Sequence, residues 1–155
     1  QITGGSPTNG AVFVATNTTG QGAWDTFPRI YARAGAGQKY PTATTTNMYY
    51  ETVVAQHGAG TWNGTQWKPG RVGWIILSAC GTWDLPFTGT LQLRFVGAPN
   101  NPYKNIRSVG PAMQYAETVV FYSTNQEASY SIQIWHDGGK TYTNIVAWFS
   151  GMVLP

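Results

Sequence analysis

Charge is what this sequence most lacks. Nine Lys+Arg and six Asp+Glu make up 10% of the 155 residues, against about 25% in an ordinary soluble domain. A net charge of +3 without any Lys/Arg cluster cannot neutralise several phosphates at once, so no nucleic-acid partner is expected. Cysteine is almost missing as well. Cys80 stands alone, which excludes an intrachain disulfide, and it closes the apolar stretch Trp74-Ile75-Ile76-Leu77-Ser78-Ala79-Cys80 with nothing basic beside it. Such a thiol reads as a small hydrophobe and not as a nucleophile. No apolar run reaches the roughly 20 residues of a membrane helix and no signal-peptide pattern occurs, so membrane insertion is not expected.

The groups that carry catalysis are equally sparse. Six acids (Asp25, Glu51, Asp84, Glu117, Glu127, Asp137) are scattered singly, there are two histidines, and no nucleophile-elbow or His-Glu motif is present. His136-Asp137 is the one adjacent acid–base pair, yet neighbours along a strand point to opposite faces. Zinc would need His57, Cys80 and His136, which are far apart in sequence. Calcium would need clustered oxygens; Asp84 and Asp137 are the places to look for it, though each reads first as a turn-former. The expectation is a protein that is not an enzyme and carries no cofactor and no metal.

What is abundant points to strands. Thr (20), Gly (19) and aromatics (14%) dominate, a composition that suits pleated, half-buried surfaces and tight turns. One domain of this length buries roughly 70% of its unfolded surface and needs no disulfide to do so. Leu91, Leu93 and Phe95 alternate with Gln92 and Arg94, and Tyr130, Ile132 and Ile134 alternate with Ser129, Ser131 and Gln133, each the signature of a strand with one face in a core. Further strands are predicted over 11–16, 27–31, 48–55, 65–68, 72–79, 106–109, 117–123 and 142–154. Turn signals at Asn63-Gly64, Pro69-Gly70, Pro99-Asn100-Asn101-Pro102 and Gly110-Pro111 separate them. The clearest hairpin turns at Asp137-Gly138-Gly139 and joins the strand ending at Trp135 to the one starting near Tyr142. Eight to ten short strands without a helix mean a sandwich or barrel. The polar opening Gly4-Gly5-Ser6-Pro7-Thr8-Asn9-Gly10 after Gln1 suggests a piece of something longer: residues 1–20 as a linker or stalk junction with a possible first strand, and 21–155 as the folded domain.

Two segments break the alternation. Residues 72–79 and 145–154 are apolar at nearly every position, which means strands covered on both faces. One cover is the core; the other is a second copy of the chain or a helix hidden from the pattern, and the copy is the simpler. The tetrad Glu51-Thr52-Val53-Val54 recurs at Glu117-Thr118-Val119-Val120 and reads as two similar strands, not as a duplicated domain.

The closing stretch Ala147-Trp148-Phe149-Ser150-Gly151-Met152-Val153-Leu154-Pro155 resembles the last strand of the complement globular-head and tumour-necrosis-factor-like jelly rolls, which typically ends in Phe-Ser-Gly and aliphatics. The block from Gly60 through Trp67 and Pro69 to Gly73-Trp74 resembles the same superfamily's Gly, aromatic, Pro and Gly-Tyr signature, with Trp67 and Trp74 in place of Phe and Tyr. The resemblance implies an all-β, antiparallel two-sheet jelly roll of ten strands that packs as a homotrimer with its inner sheet at the axis. It implies, too, a binding head at the end of a stalk, spike or fibre. The residues expected at the trimer interface or in the core are Trp74, Ile76, Trp148, Phe149 and Val153.

Seven tryptophans are the remaining signal. Trp62, Trp83 and Trp24 stand beside turn residues, and a loop aromatic next to Asn or Asp can stack on a sugar while the amide or carboxylate takes hydroxyls; the structural alternative is that these rings plug the ends of the sandwich. The turn-rich stretch from Gly97 to Asn105 presents amides and Tyr103. Candidate ligand-binding residues are therefore Trp62, Trp83, Asp84, Asn100, Asn101, Tyr103 and Trp24. The combined expectation is a trimeric, receptor-binding head of a viral or phage spike, lying outside the cell or on the virion and recognising a cell-surface receptor of glycan type. A structural trimerisation cap, or a secreted ligand for a protein receptor, are the alternatives.

Overall fold

The computed structural model describes residues 11–15, 22–83, 86–110 and 114–154. The strands are β1 (Val12–Ala15), β2 (Gly22–Asp25), β3 (Arg29–Ala34), β4 (Lys39–Tyr40), β5 (Thr46–Asn47), β6 (Thr52–His57), β7 (Thr61–Trp62), β8 (Gln66–Lys68), β9 (Gly73–Trp83), β10 (Phe87–Val96), β11 (Tyr103–Gly110), β12 (Gln114–Ser123), β13 (Tyr130–His136) and β14 (Tyr142–Leu154). No helix occurs among the described residues. Among the described residues β1 and β2 pair only with each other. The rest form two antiparallel sheets: β11-β10-β13-β8-β7 with β5 on β13, and β12-β9-β14-β3-β6 with β4 on β14.

From β8 onward the chain passes between the sheets at almost every connection: β8, β10, β11 and β13 lie in the first, β9, β12 and β14 in the second. That path is a jelly roll. It corrects the hairpin expected at Asp137-Gly138-Gly139, because β13 and β14 belong to different sheets and the turn is a crossing over the end of the sandwich. Two contacts fix the crossing. Asp137 Oδ1 accepts the Thr90 N–H at 2.6 Å, tying the turn back to β10. Gly138 packs so closely on Phe87 and Tyr142 that a Cβ there would sit 2.8 Å from both rings. A true hairpin is β10–β11, closed through Gly97, Asn100 and Asn101, all at positive φ.

Period-two alternation sorts the side chains as the sequence predicts. Leu91, Leu93 and Phe95 face Ile132 and Ile134 within the first sheet, and Ile75, Leu77, Phe149 and Val153 come from the second; all are buried. Each such aliphatic or aromatic residue contributes about 1.5–3 kcal/mol by leaving water. The ring of Trp67 lies over Gly151 of β14, where a Cβ would come within 2.4 Å of its Cε3. The glycine of the closing Phe-Ser-Gly motif is thus the socket for a tryptophan of the opposite sheet.

Candidate functional site

The structure separates the predicted site residues into three groups. Trp83 is in the first, fully buried. It stacks on Tyr142 at 4.8 Å and meets Phe87 and His136 edge-on, so no ligand can reach it and its assignment to a sugar site is corrected. The reason is register: β9 runs on through Gly81 and Thr82, and Trp83 is its last inward position. Trp62 is half-buried, stacked on Phe149 at 5.3 Å with its indole N–H towards the Tyr50 carbonyl, and it covers the core rather than facing a ligand. Phe149 and Val153 are also core residues.

The second group faces solvent. Tyr103 is 58% exposed. Asn100 and Asn101 are exposed in the β10–β11 turn, where Asn101 Oδ1 accepts the Gly97 N–H at 2.9 Å and so is engaged in shaping the turn. Asp84 and the side chain of Trp24 lie outside the described residues.

The third group lies on the outward face of the second sheet. Trp74 is 50% exposed, while Ile76 and Trp148 are half-buried. The register places Val120, Ile76 and Met152 side by side, with Tyr122 beside Trp74 in the next row. Tyr31 stacks on Trp148 with centroids 4.9 Å apart, and Arg33 lies 5.2 Å over the same indole. Grooves of about 340 Å³ and about 450 Å³ open on this face, the first between Tyr31, Ala55, Ile76 and Met152, the second around Cys80 and Trp148. Cys80 therefore points outward instead of into the core, and partial burial pushes its thiol pKa up, away from nucleophile chemistry. The two Glu-Thr-Val-Val runs fall at the opposite edges of this sheet, in β12 and at the start of β6. Val53 and Val54 are both exposed, so β6 is bare on both faces.

His136 and Asp137 do not form a dyad. His136 is buried, its Nε2 2.8 Å from the Tyr40 carbonyl oxygen and its Nδ1 accepting the Gly138 N–H, whereas Asp137 is exposed and bound to β10. Among the described residues no three His, Cys, Asp or Glu side chains converge as a metal site would require. Tyr40, Tyr50 and Tyr115 have pKa values pushed up from the ordinary phenol value, chiefly by burial. Glu51 raises that of Tyr40 further, the opposite of activation.

Sequence reasoning missed one aromatic. Trp135 occupies the outward register of β13, directly opposite Gln92 of β10, and is half-buried there. Its signal was available: the residues that alternate with Tyr130, Ile132 and Ile134 are Ser131, Gln133 and then a tryptophan.

No protein-family model and no curated protein matches this sequence. Solved structures do match its fold. The PRD1 vertex protein P5 superposes with a TM-score of 0.64 at 14% identity, covering 100% of this chain and 86% of its own. The globular domain of the zebrafish complement 1qA protein superposes with a TM-score of 0.56 at 9% identity, covering 83% and 98%. Murine APRIL gives 0.53 at 13% identity, covering 83% and 100%. The fold is the TNF-like, complement-head jelly roll that the closing motif implied.

Proposed function

We propose that this chain is the homotrimeric, receptor-binding head of a spike, fibre or stalked surface protein, displayed outside a cell or on a virion. The observation that carries the reading is the outward face of the β12-β9-β14-β3 sheet. Trp74, Val120, Tyr122, Met152 and Tyr31 leave a continuous aromatic and aliphatic surface in water, a pattern that marks a protein contact. A second and third copy are the natural cover, because cyclic assembly buries the same patch on every subunit. The likeness to a vertex protein and to complement and APRIL heads supports the same reading. With the apolar sheet inside the assembly, the polar sheet and the β10–β11 turn with Tyr103 remain outside, where a receptor can meet them; the receptor is a cell-surface glycan.

The test is the solution mass at low micromolar concentration by size exclusion with light scattering. A mass of three chains is expected for the parent and one chain for Ile76→Glu, which places a charge in the centre of the patch without touching the core. A folded, monodisperse single chain from the parent sequence would overturn the trimeric head.

A further inference from the structure

The polar sheet's outward face carries a group of side chains that nothing in the core or the apolar seam accounts for. Two rows cross its three strands. In one, Gln92 of β10 stands between Asn105 of β11 and Trp135 of β13; in the next, Arg94 stands between Tyr103 and Gln133. Directly opposed residues of an antiparallel pair project from the same face, and the alternating partners of these positions, Leu91, Leu93, Phe95, Ile132 and Ile134, are all buried. Strand spacing and rise make the patch about 10 Å by 7 Å, the footprint of one or two sugar rings. Tyr103 and Asn105 are exposed, and Gln92, Arg94, Gln133 and Trp135 are half-buried. Gln133 is already oriented, its Nε2 donating to Asn47 Oδ1 at 3.0 Å.

We infer that this face is a saccharide-binding platform selective for sugars that carry a carboxylate. Aromatic rings offer an apolar face to C–H groups, and amides donate to and accept from hydroxyls in the pairwise manner that vicinal diols require. The charge comes from Arg94. Among the described residues it pairs with no carboxylate, whereas Lys68 is bound to Glu127 and Lys104 to Glu117. A guanidinium left free between a tyrosine and a glutamine is a fork for a carboxylate. The platform is polar and lies on the side of the sandwich opposite the grooved apolar face, so covering that face with further copies leaves it open.

The inference rests on the binding-head reading and names the ligand class and the place. The test uses the purified chain on an array of uronate- and sialate-bearing glycans beside neutral ones, followed by titration of the best acidic hit monitored through the indole N–H resonances. Trp135→Ala is expected to weaken binding at least about tenfold, as for an aromatic anchor, and Trp135→Phe to restore part of it. Arg94→Gln is expected to abolish the preference for acidic over neutral sugars. No binding to any acidic glycan, equal binding to neutral ones, or binding that both variants leave unchanged would overturn the inference. Masses measured on the same samples keep the two readings apart: three chains without saccharide binding defeats the platform alone, and a single chain defeats the head.

Discussion

Glycines and large aromatic side chains form matched pairs in this core. Gly151 leaves room for Trp67, and Gly81 for Tyr115, whose hydroxyl would lie 2.3 Å from an added Cβ. Gly151→Val is therefore expected to lower stability by about 1–3 kcal/mol through overpacking, read as a shift in the urea midpoint with the slope unchanged. The same pairing explains why Trp83 was misread. Gly81-Thr82 looks like a turn in sequence, but the glycine is small because Tyr115 occupies its space, and the strand continues. Among the described residues Trp83 Nε1 finds no hydrogen-bond acceptor; the residue is there for its ring. Core residues such as Leu93 and Ile134 were legible because a single period decides them, whereas a small residue can mean a turn or a socket and only the opposite sheet decides which.

Strands were legible as strands; their partners were not. The turn at Asp137-Gly138-Gly139 has hairpin chemistry, yet it joins two sheets, because β13 finds its neighbours in β10, β8 and β5 and β14 finds its own in β9, β3 and β4. Local sequence specifies a reversal of direction, and long-range packing chooses the sheet in which the chain lands. The latch on this crossing is Asp137. Asp137→Ala is expected to cost about 1 kcal/mol, the net worth of one hydrogen bond to a backbone N–H, with faster amide exchange at Thr90 as the local readout. The uniformly apolar stretches ending in β9 and β14 were also informative, since their second face has no cover among the described residues. Trp74 and Trp148, which suggest core by composition, show instead that an all-apolar strand divides its residues between the inside of the sandwich and its apolar outer surface.

For the whole molecule, pH acts through the buried phenols. Tyr40, Tyr50 and Tyr115 resist ionisation in the native state but ionise near pH 10 once unfolded. Each folded pKa is raised, so the unfolded state loses protons first. Stability is accordingly full below about pH 10 and declines as the pH rises past it. Absorbance of tyrosinate during an alkaline titration is expected to show these three ionising in a single step coincident with loss of near-ultraviolet circular dichroism. Three independent early transitions would contradict this.

Every one of the nine cationic residues except Lys68, which precedes Pro69, offers a bond that trypsin could cut. Seven of them, Arg29, Arg33, Lys39, Lys68, Arg94, Lys104 and Arg107, lie within strands, leaving Arg71 and Lys140 in the connections. A protease needs a segment that can leave its neighbours and enter the cleft. Native digestion is expected to yield nicks at those two sites alone, leaving the strands of both sheets whole although no intrachain disulfide can tie them.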